Sequence, residues 1–183
     1  VSKFGASAVA SAENIKKVID IIKNRHTASE RLVIVSAFSG ITDRLLHCAQ
    51  KASEGEEEYK EILKQVEERH LDTARQLIPV QSQSSILSFI KLKCNEVEDI
   101  CNGIFLLKEL SARTKDKVMS YGELLSSRTI AAALEADGNV QWLDSTELIT
   151  TNSNYGYAQV NFEITNAKIQ NYFKEKSAPL YIA

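Results

Sequence analysis

The chain of 183 residues carries little net charge, lacks a long apolar run and has only three cysteines. Its formal charge of −2 supplies no positive field to attract nucleic acid or an anionic membrane, so partners of either kind are disfavoured. No stretch approaches the length of a membrane span, and no basic segment followed by an apolar signal core opens the chain. From these two absences we expect a cytoplasmic location. The 44% hydrophobic and 25% charged residues predict a globular protein of one domain, or one domain and a piece.

Residues that commonly bind metals are also few. The cysteines lack the spacing of a CxxC or zinc motif, so we expect reduced, structural thiols at Cys48, Cys94 and Cys101. The histidines lie in polar contexts with no second ligand at a short spacing, so we expect solvated side chains at His26, His47 and His70. These residues predict no metal site held by the protein itself.

The first 40 residues have the pattern of a β-α-β unit. The stretch "RLVIVSAFSG" is short, apolar and rich in β-branched residues, which is typical of a strand buried on both faces. Between it and an opening strand, apolar residues recur at helical spacing after a capping residue, Ser11. Such a unit joins parallel strands through a right-handed crossover, and it predicts an α/β sheet.

Sustained helical periodicity follows from Glu56 to about Leu110, and we interpret it as a helical hairpin inserted over about 56–112. The charge run "EGEEEYKE" is its solvated face. Further along, the patterns predict helices over 115–138 and 161–176 and strands over 139–144 and 178–183. A parallel sheet that stops at Ala183 is unfinished, so we expect a truncated chain whose last strand exposes an unpaired edge and promotes self-association.

The start of the chain, "VSKFGASAVASAENI", places a lysine at a strand end before small residues and a helix. Small side chains bring backbone N–H groups close to a ligand, and phosphate is the usual ligand there. Lys3 with the amides of Gly5, Ala6 and Ser7 would suit a transferring phosphoryl group. The alternative is a plain strand-to-helix connection with a solvated lysine. The common P-loop and dinucleotide motifs are both missing.

Four segments, in order, resemble motifs of aspartate kinases, which are members of the amino-acid kinase family. They are "SKFGASAVASAENI", "VIVSAFSGITDRLL", "VMSYGELLSSRTIAAAL" and "VQWLDSTELITTNSNYGYAQV". The resemblance covers most of the chain and is closest to the monofunctional, lysine-sensitive type. It implies a three-layer α/β/α sandwich of the amino-acid kinase type, incomplete because residues 1–183 form the N-terminal, aspartate-binding half. The nucleotide-binding half and the regulatory ACT domains would be absent.

The resemblance also implies an activity. The protein would use ATP and Mg²⁺ to phosphorylate the β-carboxylate of L-aspartate, the first step toward lysine, threonine and methionine. It would form a homo-oligomer, and the present chain alone would be inactive. Two alternatives stay open: a relative that acts on another carboxylate or phosphate acceptor, and a non-catalytic domain kept for regulation or oligomerisation.

On the nucleotide side, the resemblance implies that Lys3 stabilises the γ-phosphoryl group as a catalytic residue, above a loop of Gly5, Ala6 and Ser7. The family shows Gly-Gly-Thr-Ser where this chain has Gly5-Ala6-Ser7-Ala8. If the second glycine adopts positive φ, Ala6 strains the loop by on the order of 1 kcal/mol. If that glycine serves close approach, the methyl group of Ala6 crowds the phosphate.

On the acid side, the resemblance implies that Ser36 and Thr42 border the aspartate and phosphate sites. Glu123, in "YGELLS", matches the carboxylate that holds the α-amino group of aspartate. Without the resemblance, Glu123 would be interpreted as an exposed charge on an otherwise apolar helix.

Overall fold

The computed structural model describes residues 1–25, 32–135, 138, 140–176 and 178–183. Among these residues, four short strands form one sheet in the order β1-β2-β4-β3. The strands are β1 (Ser2–Phe4), β2 (Leu32–Val35), β3 (Val140–Trp142) and β4 (Leu180–Ile182). Each neighbouring pair is parallel, so the carboxyl ends of all four strands share one edge of the sheet. The predicted α/β fold with a parallel sheet is confirmed.

Helices make up most of the described chain. They are α1 (Ala12–Arg25), α2 (Ile41–Glu54), α3 (Glu58–Leu77), α4 (Gln83–Leu107), α5 (Ala112–Glu135) and α6 (Phe162–Glu175), with 3-10 turns at Val80–Ser82 and Ser145–Glu147. Local side chains explain several of the starts. The Ser11 hydroxyl accepts a hydrogen bond from the Asn14 N–H at 3.2 Å, as predicted, and the Asn161 side chain accepts one from the Ile164 N–H at 3.1 Å.

Helix α2 is an element that the sequence patterns did not predict. It begins after Gly40 and ends before Gly55, and both glycines adopt positive φ, at 76° and 77°. That conformation is nearly free of strain only for glycine, which explains the abrupt helix ends. The buried residues of α2 recur at helical spacing: Ile41, Leu45, Cys48, Ala49 and Ala52.

The sheet carries helices on both faces, which confirms the three predicted layers. One face packs on the main core, where Val33, Val35 and Ile182 are buried together with residues of α5. On the other face, the Tyr181 ring packs edge-on against Phe173 of α6, with ring centroids 5.1 Å apart. Beside this contact, Lys3 and Ile34 pair in register and remain exposed.

The expectation of an unpaired edge at the last strand is wrong, because β4 lies between β2 and β3. The Ala183 N–H donates to the Val33 carbonyl at 2.9 Å, and the Val35 N–H donates to the Ala183 carbonyl at 2.9 Å. A crossover connection places a strand late in the chain at the centre of the sheet, so order along the chain does not identify the edges. The edges of the described sheet are β1 and β3.

The expectation of a solvated His70 is also wrong. Its side chain is fully buried and stacks on the Phe38 ring, with centroids 4.8 Å apart. The ring Nδ1 lies 2.7 Å from the Val66 carbonyl oxygen, whereas Nε2 has no hydrogen-bond partner among the described residues. His47 is exposed, as expected, and His26 lies outside the described residues. The three cysteines are all buried, in agreement with a structural role.

Burial lowers the pKa of His70 from 6.5 to about 4, because the charged ring would lose its hydration. The His70 imidazole therefore binds a proton more tightly in the unfolded chain than in the folded chain. The stabilisation is complete above pH 6.5 and is lost as the pH falls toward 4. We expect His70 to lower the free energy of unfolding by on the order of 3 kcal/mol across this window.

Urea unfolding at a series of pH values would measure this effect. The slope of stability against pH should be shallower in His70→Gln than in the wild type, whereas His47→Gln, at an exposed site, should match the wild type. Equal slopes in His70→Gln and the wild type would exclude His70 as the source.

Candidate functional site

Two loops leave the carboxyl edge of the sheet side by side. The first loop (residues 5–11) follows β1, and the second loop (residues 36–40) follows β2. The Ser36 N–H donates to the Phe4 carbonyl at 3.1 Å, which joins the loops at the point where they leave the sheet. In open α/β sheets, ligands bind beyond the carboxyl ends of the strands. This edge is therefore the candidate site.

Helix α5 packs unusually close to the second loop because Gly122 has no side chain. A Cβ at this position would lie 3.0 Å from the Ala37 Cβ and 3.5 Å from the Thr42 hydroxyl oxygen. One turn later, the buried Ser126 hydroxyl donates to the Ser36 carbonyl at 2.8 Å. The contact holds α5 against the loop, and the same hydroxyl also donates to the Glu123 carbonyl of its own helix at 3.1 Å.

This packing brings Glu123 to the second loop. Its Oε1 accepts a hydrogen bond from the Ala37 N–H at 3.4 Å, and the side chain is otherwise exposed. Glu123 also lines a pocket of about 300 Å³. Other residues of the pocket wall include Lys117, Ser127, Trp142, Asp144, Thr146 and Ala183. A carboxylate in this position can bind a cationic group in the pocket.

The pocket contains functional candidates that the sequence patterns did not reveal. The indole N–H of Trp142 donates to the Ser127 hydroxyl at 3.0 Å, and the Asp144 carboxylate accepts from the Thr146 N–H at 2.9 Å. Trp142 is the single tryptophan of the chain, and a tryptophan at the end of a strand was the available signal. No sequence signal marked the polar groups of the segment 144–146, because such residues are common in turns.

The first loop is open to solvent. Lys3, Gly5, Ala6 and Ser7 are all exposed, and the loop is closed by a hydrogen bond from the Ala8 N–H to the Gly5 carbonyl at 2.9 Å. Among the described residues, the N–H groups of Gly5, Ala6 and Ser7 donate no hydrogen bond to the protein. Backbone amides in this state can bind an anion.

The backbone of the first loop is free of strain at both Gly5 and Ala6. Lys108 is the one non-glycine residue with positive φ in the described chain, so Ala6 is not strained and that alternative is excluded. A Cβ at Gly5 would meet no atom within 4 Å, and Gly5 does not adopt positive φ. Neither the backbone nor the neighbouring protein atoms therefore require glycine at this position.

The residues predicted for the site form two groups. Ser36, Thr42 and Glu123 converge where α5 meets the second loop. The other group, which lies on or before the first loop, consists of Lys3, Gly5, Ala6 and Ser7. Of the two groups, Glu123 is the one residue that lines the pocket. Lys3 shares a sheet face with Ile34, opposite the face that α5 covers, because side chains alternate along a strand.

Other site types find little support in the described residues. No group of three His, Cys, Asp or Glu side chains converges among them, so they offer no metal cage. No described helix combines the length and apolarity needed to cross a membrane.

A parallel sheet with exposed backbone amides in the loop after its first strand and a carboxylate beside a pocket defines an α/β protein whose candidate site offers donors for an anion and an acceptor for a cationic group. Residues 1–181 match the model of the amino acid kinase family, and the chain belongs to that family.

Several aspartokinases are similar to this chain. Aspartokinase 1, chloroplastic, of Arabidopsis thaliana is 38% identical over 141 residues, which are 75% of this chain and 24% of that protein. Bifunctional aspartokinase/homoserine dehydrogenase 1, chloroplastic, of Zea mays is 25% identical over 185 residues, which are 100% of this chain and 20% of that protein. The chain thus spans a fifth to a quarter of the length of these relatives.

Among solved structures, that of E. coli aspartokinase III in complex with aspartate and ADP matches with a TM-score of 0.82. The match covers 98% of this chain and 39% of that chain at 24% identity, and it shows the shared fold.

The relatives confirm the resemblance to aspartate kinases. The prediction of a cytoplasmic location is wrong, because the names of the plant relatives place them in the chloroplast. The prediction rested on the lack of a membrane span and of an apolar signal core, and neither feature distinguishes the cytoplasm from the aqueous interior of a chloroplast. Monofunctional and bifunctional enzymes both occur among the relatives, so the monofunctional type stays a prediction.

The packing at Gly122 can be tested against a second helical glycine, Gly103 of α4, where a Cβ would meet no atom within 4 Å. Alanine is favoured over glycine in a helix by about 1 kcal/mol, so Gly103→Ala should raise the free energy of unfolding. Gly122→Ala should show no such gain, because its methyl group presses on Ala37. Urea unfolding of both variants measures the difference, and equal stabilisation would show that α5 does not depend on the close approach.

Proposed function

We propose that the full-length protein transfers the γ-phosphoryl group of ATP to the β-carboxylate of L-aspartate, which yields 4-phospho-L-aspartate. The observation that carries the proposal is the position of Glu123, held at the second loop by the Ala37 N–H and lining a pocket at the carboxyl edge of the sheet. The names of the relatives and the aspartate and ADP bound to E. coli aspartokinase III support the same substrates.

On the acid side, Glu123 would bind the ammonium group of aspartate. The carboxylate that attacks phosphorus is already ionised at neutral pH, so the reaction requires no general base there. Ser36 and Thr42, which lie against α5 next to Glu123, would border the bound acid and the transferred phosphate. Binding of an ammonium group by Glu123 would distinguish this site from one that binds a simple dicarboxylic acid.

On the nucleotide side, Lys3 and the free amides of Gly5, Ala6 and Ser7 would bind the transferring phosphate. Catalysis of phosphoryl transfer consists mainly of positioning and of stabilising charge on the phosphate oxygens. Gly5 supports this assignment, since nothing in the protein requires glycine there and a closely approaching ligand would. Ala6 fits the loop without strain, so its methyl group could affect only the space left for phosphate.

Mg²⁺ commonly binds through substrate phosphates together with one or two carboxylates. Because no group of three His, Cys, Asp or Glu side chains converges among the described residues, we assign none of them to the metal. When bound with ATP, the ion would neutralise phosphate charge.

The wider proposal follows the resemblance. Residues 1–183 would form the aspartate-binding half of the catalytic domain, with α3 and α4 as its helical insertion. The reaction would begin lysine, threonine and methionine biosynthesis in a homo-oligomeric enzyme.

An ATP-dependent hydroxamate assay of the full-length gene product tests the reaction and the substrate together. Aspartate, glutamate and succinate would be offered in parallel, since succinate has the second carboxylate of aspartate without its ammonium group. Turnover with aspartate alone supports the proposal. Turnover with another acid favours the alternative of a kinase with a different acceptor, and no turnover with any acid favours a non-catalytic domain.

Lys3→Ala should lower kcat by about a hundredfold, corresponding to about 3 kcal/mol of lost electrostatic stabilisation of the transition state. The KM for aspartate should change much less, because Lys3 faces away from the pocket that Glu123 lines. Lys16→Ala, at an exposed position on α1, is the matched control. Steady-state kinetics measures kcat for each variant. A wild-type kcat in Lys3→Ala would show that Lys3 has no part in the mechanism.

Glu123→Gln keeps the size of the side chain and one acceptor oxygen but removes the charge. We expect a tenfold or greater increase in the KM for aspartate, with a nearly unchanged KM for ATP, because a charged hydrogen bond contributes about 1.5–3 kcal/mol. Glu163→Gln, on the exposed surface of α6, is the control. A defect confined to the KM for ATP would contradict the assignment of Glu123 to the acid substrate.

A further inference from the structure

Arg69 of α3 binds both loops of the candidate site with one side chain. Its Nη1 donates to the Ser39 carbonyl at 2.7 Å, and its Nη2 donates to the Ala10 carbonyl at 3.0 Å. A guanidinium group is planar and rigid, so it holds two acceptors at a fixed separation. The two carbonyls belong to the second and the first loop, respectively.

The surroundings of Arg69 hold its side chain in this role. Among the described residues no carboxylate lies within ion-pair distance, so the two carbonyls are its polar partners. Burial lowers the pKa of the Arg69 guanidinium because the charged group loses hydration. The hydrogen bonds to the two carbonyls offset the free-energy cost of that lost hydration. The adjacent His70 stacks on Phe38, which fixes the second loop on α3 from the same side.

Arg69 is the one side chain in the described chain that hydrogen-bonds to both loops. Asn14 bonds to the first loop through the Ser7 carbonyl, whereas Glu123 and Ser126 bond to the second loop. Among the described residues, the other hydrogen bond that joins these segments runs from the Ser36 N–H to the Phe4 carbonyl at the end of β1. The outer parts of the loops therefore depend on Arg69 for their separation.

We propose that Arg69 is a positioning residue that sets the distance between the phosphoryl donor and the acid acceptor. The inference rests on the proposed function, in which the first loop binds the phosphate and the second loop borders the acid. Phosphoryl transfer needs the attacking oxygen and phosphorus in line at about 3–3.5 Å, and a displacement of about 1 Å can cost a hundredfold in rate. Arg69 lies outside the pocket wall and bonds to loop carbonyls, so its loss should affect the alignment more than the binding of either substrate.

Kinetics of the full-length protein test this role. Arg69→Ala should lower kcat by tenfold to a hundredfold while the KM values for ATP and aspartate change by less than about threefold. Guanidinium ion at millimolar concentration should restore part of kcat in Arg69→Ala and none in Lys3→Ala. Arg69→Lys, which replaces the rigid two-nitrogen fork with a single ammonium nitrogen, should be intermediate and carries the test if Arg69→Ala does not fold. Arg75→Ala, on the same helix with an exposed ion pair to Asp72, should match the wild type.

Amide hydrogen exchange gives a readout that is independent of turnover. Exchange in Arg69→Ala should accelerate at the hydrogen-bonded amides of both loops, which are Ala8 and Val9 in segment 5–11 and Ser36 and Ala37 in segment 36–40, with Arg75→Ala unchanged. Faster exchange in one segment alone, or a large rise in KM at constant kcat, would overturn the role of Arg69. A wild-type protein without aspartate-dependent turnover would instead overturn the proposed function, while joint acceleration of exchange would still show that Arg69 holds both loops together.

Discussion

The site depends on the close approach of α5 to the loop after β2, which is possible because Gly122 has no side chain. Moving α5 away would break the hydrogen bond from the Ser126 hydroxyl to the Ser36 carbonyl and leave the hydroxyl with the Glu123 carbonyl of its own helix, and the loss of one such bond costs about 0.5–1.5 kcal/mol. The helix is therefore fixed in both distance and register relative to β2. The position of Glu123 follows directly, since it lies between Gly122 and Ser126 along the same helix.

The two loops are held to different extents, and the difference matches what each would bind. The second loop is packed between α5 and α3, with Phe38 buried against His70 and the Ala37 N–H bonded to Glu123. The first loop keeps exposed residues and free amides at Gly5, Ala6 and Ser7. Low contact density permits local motion. Under the proposed function, a closely packed acid side and an open phosphate side would suit a site that a large nucleotide enters and leaves.

Local patterns predicted the elements whose signals are contained in their own residues. The strand at Leu32–Val35 and the cap at Ser11 are of this kind, because apolar runs and capping hydroxyls act over a few positions. The place of β4 at the centre of the sheet was not predictable in this way, since it depends on a crossover. His70 was misjudged for a related reason. A histidine on a helix has the pattern of a surface residue, and its burial is decided by Phe38, which is distant in sequence.

The residues of the candidate site also differ in whether their signal lies in their own side chains or in contacts that only the fold creates. Motif resemblance offered Lys3, Ser36, Thr42 and Glu123 as candidates because the chemistry proposed for them lies in their side chains. Arg69 escaped it, since its partners are backbone carbonyls 30 and 59 residues away in the chain. Every residue has a carbonyl, so no pattern marks the two that a guanidinium group binds. Residues that position a site through the backbone therefore become visible only when the folded chain brings the loops together, although the rate of a transfer reaction depends on them as strongly as on the groups that touch substrate.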